Sequence, residues 1–272
     1  MKTDLVLGLV TDLHFGPEAH FQGRLRKLTA RAGELTADFV DRMNRQVRPD
    51  LVVNLGDDIE DESPAADTAR YAECQGILRT SSAELVNVAG NHDTVHLSAA
   101  HLRTSWGLPA EGALYSSFER KGYRFIVLHT EERKDHHVSV GEVQLAWLAE
   151  ELKAHVGPVV ILMHHSAADQ DLRGNPWFDK APHICLVRER RRIRALLESH
   201  GNVVAVFNGH LHWNHLDVIK GIPYVTVQSL IENLDHGAPG RPAAAHAVVR
   251  LSKDRVVVEV EGAERARYQL DR

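Results

Sequence analysis

Six short apolar, β-branched runs punctuate the chain: LVLGLV (5–10), LVVNL (51–55), ELVNV (84–88), RFIVLH (124–129), VVILMH (159–164) and VVAVFN (203–208). Near-continuous hydrophobicity over so few residues predicts strands covered on both faces. Between them the period becomes helical. Residues 24–47 carry a long amphipathic pattern closed by Pro49, and residues 64–79 open on Ser63-Pro64, a cap followed by proline at the first helical position. Residues 141–155 place Val143, Leu145, Leu148 and Leu152 mostly on one face, and residues 187–199 repeat this with Ile193, Leu196 and Leu197. Strand–helix alternation predicts an α/β fold. After residue 222 the order changes: IPYVTVQSL, AAHAVVRL and RVVVEVEG read as consecutive strands, and SSFERKGYRFIVL reads as a hairpin turning at Lys121-Gly122. Mixed sheets are therefore expected. No repeat or low-complexity linker interrupts residues 1–272, which read as a single domain. Residues 166–186 form a long connection with few periodic signals, of the kind that shapes a site or covers one.

The polar residues change the picture, because they fall at the ends of the strands. After 5–10 come Asp12 and His14; after 51–55, Gly56, Asp57 and Asp58; after 84–88, Asn91, His92 and Asp93; after 159–163, His164 and His165; after 203–208, His210 and His212. The carboxyl ends of strands are where α/β sites assemble. Imidazoles with carboxylate and amide oxygens, and no thiolate, suit Mn, Fe, Zn, Co or Ni. The donors outnumber what one ion can use, and divide over two if one carboxylate bridges. Two ions about 3.5–4 Å apart can clamp both ends of an in-line phosphoryl displacement. Glycines precede Asp57, Asn91 and His210, where the chain must turn sharply.

Composition narrows the partners. The 272 residues are 43% hydrophobic and 25% charged, ordinary globular values, with a formal net charge of −5. That balance speaks against a nucleic acid polymer or an anionic membrane as partner. No stretch approaches a membrane span, and the apolar run near Met1 is too short for a signal peptide. Cys74 and Cys185 match no zinc or redox spacing and read as reduced, packed thiols. The expected location is the cytoplasm; self-association is left open.

The blocks DLH, GDD, GNHD, the His after VVILM, and GHLH, in that order over residues 12–212, resemble the signature blocks of the calcineurin-like metallophosphoesterases. The resemblance implies two mixed β-sheets packed face to face with helices on the outer faces, a four-layer α-β-β-α sandwich. It implies two metal ions (Mn, Fe or Zn), with Asp12, His14 and His212 holding the first, Asn91, His164 and His210 the second, and Asp57 bridging. It implies that His92 faces the scissile phosphate and serves the leaving oxygen, that Asp93 orients His92, that Asn91 also touches a phosphate oxygen, and that His165 sits near the substrate mouth. Asp58 reads as a loop carboxylate or cap, Asp61 and Glu62 as a solvated turn, Asp135–His137 as an exposed loop or a substrate contact, and the basic run 188–192 as the wet face of a helix, with Arg188 its one candidate for meeting a substrate phosphate.

The implied reaction is hydrolysis of a small phosphodiester (a cyclic nucleotide, another nucleotide-type diester or a diester of a small alcohol) by a metal-bridging hydroxide. A phosphomonoesterase or an ADP-ribose/nucleotide-conjugate pyrophosphatase on the same site are the alternatives, and Trp177, Phe178 and Trp213 either stack a base or pack the loops down. A non-catalytic metal-binding scaffold is the reading of another class; such a protein is expected to lack a ligand or the His of GNHD, and here none is missing.

Overall fold

The computed structural model describes residues 4–133, 136–235 and 237–272. Two six-stranded mixed sheets form its centre. In the first, Leu5–Val10 lies between Leu51–Asn54, parallel to it, and His246–Leu251, antiparallel to it. Glu84–Asn87 extends this sheet in parallel on one side. Arg255–Glu261 and Ala266–Asp271 extend it as an antiparallel meander on the other. In the second, Tyr123–Val127, Val159–Leu162, Val203–Asn208 and Ile222–Thr226 run parallel. Ser116–Arg120 and His215–Ile219 close its two edges antiparallel.

Residues that alternate along the strands explain the layers. Leu5, Leu7 and Leu9 point inward with Val53, Phe125, Val127, Leu162 and Phe207, and this cluster fills the space between the sheets. Val10 and Val52 point the other way and pack with Phe39, Val40 and Tyr71 of the helices Ala32–Arg42 and Pro64–Leu78. Ile126, Ile161 and Val206 likewise pack with Leu145, Leu148, Ile193 and Leu197 of the helices Glu142–Ala154 and Arg190–His200. Strands that bury both faces gain about 1.5–3 kcal/mol per large apolar side chain, which accounts for the continuous hydrophobic runs. The expected four-layer α-β-β-α sandwich is the observed one.

Three local expectations change. The helix expected over 24–47 begins only at Ala32, because Gln22 and Gly23 take positive φ (51° and 74°) and turn Ala19–Phe21 back on Arg24–Lys27 as a hairpin. Its last turn, Met43–Val47, is a π-helix. Val143, placed on the apolar face of its helix, is 77% exposed; Leu145, Leu148 and Leu152 carry that face. The hairpin at Lys121-Gly122 is as expected, with φ of 48° and 80° at the turn. Among the described residues, no helix is long and apolar enough to cross a membrane.

Candidate metal centre

All five strand-end blocks meet at one end of the sandwich. Two of them zip together through the backbone: Asp12 N–H donates to Gly56 O, Leu13 and His14 N–H to Asp57 O, and Phe15 N–H to Asp58 O. Asp12, His14, Asp57, His210 and His212 all adopt positive φ, between 46° and 66°. For residues other than glycine each such position costs on the order of 1–3 kcal/mol, and it persists only where surrounding structure imposes it. Close approach explains two of the glycines better than turning does. A Cβ on Gly90 would lie 2.1 Å from Asp57 Oδ1, and one on Gly209 would lie 1.9 Å from Thr11 Oγ1.

The donors form two adjoining sets. In the first, His212 Nε2 lies 3.2 Å from His14 Nε2 and 3.4 Å from Asp12 Oδ1. His14 Nε2 is 3.8 Å from Asp12 Oδ1 and 3.9 Å from Asp57 Oδ2. In the second, His164 Nε2 lies 3.2 Å from Asp57 Oδ2 and 3.1 Å from Asn91 Oδ1, and the His210 ring is 5.1 Å from that of His164. Asp57 Oδ2 thus faces both sets, while its Oδ1 accepts the His92 N–H at 3.0 Å. The outer nitrogens are occupied: His14 Nδ1 by Glu60 at 3.0 Å, His212 Nδ1 by Glu232 at 2.7 Å, His164 Nδ1 by the Leu55 carbonyl at 2.8 Å and His210 Nε2 by the Ile184 carbonyl at 3.2 Å. Each ring therefore turns its remaining nitrogen toward the shared space.

This arrangement fits cations. Asp12 Oδ1 is buried and has no hydrogen-bond partner, although Asp12 Oδ2 accepts from Thr11 Oγ1 at 2.6 Å and from the His210 N–H at 2.9 Å. Buried polar atoms are rarely left unpaired. Burial opposes ionisation of Asp12, but His212 and His164 hold it down to about 2. Burial and the Lys27 ammonium depress His14 to about 4, which keeps it neutral. Burial works against protonation of His164 and His212, yet Asp57 raises the one and Asp12 with Glu232 the other to about 9. The buried carboxylates thus draw positive charge into the site.

Several expected roles change. Asp93 does not touch His92: its carboxylate accepts the N–H groups of Asp57, Asp58 and Gly90 at 3.0, 2.8 and 2.8 Å. The partner of His92 Nδ1 is Asp61, at 2.5 Å, a residue read as a solvated turn. His165 is not at the mouth. It is fully buried, with Nδ1 2.8 Å from Thr130 Oγ1 and Nε2 unpaired, and it clusters with His164 and His210 closely enough for the three to share an ion. Asp58 lies in the loop after the Leu51–Asn54 strand, as expected, but it is fully buried and held by Asn54 and Gln75 at 2.6 and 2.7 Å. Trp213 lies against His215 and donates to Gln170. Arg188 lines a separate depression with His136, His137 and His183; Asp135 lies outside the described residues. Glu60 and Glu232, which hold the outer nitrogens of two rings, were not anticipated. An acidic residue inside the apolar segment 222–234 was the available signal for Glu232.

A cavity of about 690 Å³ opens over the donors, lined by Asp57, Asn91, His92, His210 and His212 and walled by Phe21, Lys27, Asp61, Trp177 and Phe178. The Phe21 and Trp177 rings are 4.8 Å apart, and Phe178 stacks on His210 at 4.7 Å.

A sequence model of the calcineurin-like phosphoesterases matches residues 5–214, and the chain belongs to that family. It is 31% identical to a cAMP/cGMP dual specificity phosphodiesterase of Mycobacterium tuberculosis, over 82% of this chain and 66% of that protein. It is 25% identical to a probable cyclic nucleotide phosphodiesterase of Rhodococcus erythropolis, over 67% of this chain and 58% of that protein. The chain thus spans about two thirds or less of the length of these relatives. The crystal structure of a dimetal phosphatase from Danio rerio superposes with a TM-score of 0.79 over 98% of each chain at 21% identity, a likeness of fold.

Proposed function

We propose that this chain is a two-metal phosphoric ester hydrolase acting on a phosphodiester of nucleotide type, cyclic nucleotides included. The observation that carries the reading is Asp57 Oδ2, which faces two sets of buried donors at once. Asp12, His14 and His212 would hold one ion, Asn91, His164 and His210 the other, and Asp57 both. Such a pair supplies Lewis acidity, neutralising phosphoryl charge and acidifying water near neutral pH. Mn, Fe or Zn suits imidazole and oxygen donors.

The chain's own groups do the rest. His92 lines the cavity, and Asp61 holds its Nδ1, so Nε2 is the atom left to hydrogen-bond the leaving oxygen and give it a proton. Asp93 fixes the backbone of the Asp57 turn against that of Gly90, and so sets where Asp57 and Asn91 project. Asn91 remains available to touch a phosphoryl oxygen. Lys27, buried on the cavity wall and paired with Glu60 at 2.6 Å, adds positive potential over the site. Phe21, Trp177 and Phe178 give the cavity an aromatic side that suits a base, in keeping with the cAMP/cGMP phosphodiesterase activity for which the mycobacterial relative is named. The cytoplasm suits the two free, buried thiols, Cys74 and Cys185.

The test is a substrate panel assayed with Mn, Fe and Zn: 3′,5′- and 2′,3′-cyclic nucleotides, bis-(p-nitrophenyl) phosphate, p-nitrophenyl phosphate and ADP-ribose. Metal-dependent turnover with diesters ahead of the monoester is expected. Preference for the monoester or for ADP-ribose would replace the diester assignment, and no turnover with any metal would overturn the hydrolase reading.

A further inference from the structure

Glu232 lies outside the donor sets, yet it is 2% exposed and closes a junction beneath them. Its Oε2 is 2.7 Å from His212 Nδ1. Its Oε1 accepts from Arg26 Nη2 at 2.5 Å. Trp177 Nε1 donates to both oxygens, at 3.1 and 3.3 Å. The three partners come from three places: His212 follows the Val203–Asn208 strand, Arg26 belongs to the Ala19–Lys27 hairpin, and Trp177 to the 166–186 connection. Two of those places wall the cavity, and the third supplies a donor to the first ion.

We propose that Glu232 is a positioning residue that aims His212 at the first ion and ties occupancy of that ion to the order of the cavity's aromatic wall. This rests on the metal-pair reading above. A carboxylate on the outer nitrogen of an imidazole fixes the tautomer and the ring orientation and makes the inner nitrogen a better ligand. Here the same carboxylate holds the indole N–H. The Trp177 ring then sits 5.3 Å from the His212 ring and 4.8 Å from that of Phe21, so one line of rings runs from the donor to the hairpin. The cations of Arg26 and Lys27 lie 5.7 and 5.3 Å from the centre of the indole. An ion that pulls His212 into place therefore steadies Glu232, and through it Trp177 and Arg26. Because the coupling is a free energy, an ordered wall must favour the ion to the same extent. A plain Arg26–Glu232 ion pair would hold the hairpin whether or not metal were bound, and that difference can be measured.

Metal-free protein is titrated with Mn²⁺ by calorimetry while tryptophan emission is followed. The parent should take up two ions, with an emission change on filling one of them that Trp177→Phe abolishes. Glu232→Gln should weaken one of the two sites by about 10–100-fold, spare the other, and lose the emission change. Glu232→Asp should recover part of the affinity. Should Glu232→Gln fail to fold, Trp177→Phe serves alone: it keeps the carboxylate and removes the indole donor, and is expected to weaken the same site several-fold. Equal parent and variant affinities, or equal weakening of both sites in a folded variant, overturn the inference alone. A parent that takes up fewer than two ions overturns the metal-pair reading and this inference with it.

Discussion

Gly90→Ala places a methyl group where the structure has no room. The added Cβ would sit 2.1 Å from Asp57 Oδ1 and 2.2 Å from Asp57 N. Ordinary contact begins at 3.4 Å, so the carboxylate has to retreat by about 1.3 Å. It cannot retreat alone. Asp57 Oδ1 accepts the His92 N–H, and Asp93 ties the N–H groups of Asp57 and Gly90 to one carboxylate. The displacement therefore reaches the oxygen that faces both donor sets and the backbone of His92. A misplacement of ~1 Å at a reacting centre costs about 100-fold in rate, and weaker metal retention adds to it. The expected variant is folded, turns over at about one hundredth of the parent rate or less, and holds both ions more weakly. Its overpacking should lower stability by about 1–3 kcal/mol. Turnover of the substrate found by the panel, metal content after dialysis, and thermal unfolding check this. A variant with the parent's rate and two tightly held ions would refute the assignment of Asp57 as the shared ligand.

His92→Ala should keep both ions and lose about 10²–10⁴-fold in turnover, which paired metal analysis and kinetics would show; unchanged turnover would remove His92 from proton transfer. Asp61→Asn should keep both ions and lower kcat more than it raises KM, whereas Asp93→Asn should also lower the melting temperature, since Asp93 accepts three backbone N–H groups. Asp57→Asn should weaken both ions together, and loss of only one by metal analysis would count against bridging. His129 and His246 are depressed below 6.5, chiefly by burial, so the unfolded chain binds protons that the folded chain does not. Stability should therefore fall as pH drops below about 6.5, and His246→Gln should flatten part of that slope in melts between pH 5 and 7.

The parts of the fold legible in the sequence are those where one residue pattern has one outcome. Strands buried on both faces have to be hydrophobic throughout, so a carboxylate, carboxamide or imidazole just past the end of each stands out; Asp12, Asp57, Asn91, His164, His210 and His212 were legible for that reason. The Arg24–Lys27 strand was not, because four residues cannot separate a hairpin arm from a helical turn and the deciding signal, Gly23, is a single glycine. The role expected of Asp93 falls to Asp61 because adjacency in sequence is not adjacency in space. Asp93 begins the Asp93–His96 helical turn and points back at the Asp57 loop, away from the His92 ring. His165 is buried because its ring packs between those of His164 and His210 and its Nδ1 is held by Thr130 Oγ1, contacts that join segments far apart in sequence. Glu232 was hidden by distance, since nothing in the spacing links it to a histidine 20 residues earlier.

The Leu5–Val10 strand sits at the centre of its sheet, between a neighbour that follows it by some 40 residues and one from the 246–251 segment. During synthesis it waits with one edge open while most of the chain is made. Asn91 and His164 leave the ribosome well ahead of His210 and His212, so Asp12 and His14 stay without their histidine partner the longest. A nascent chain would thus be a poor acceptor of metal, and loading would come as a closing act of maturation.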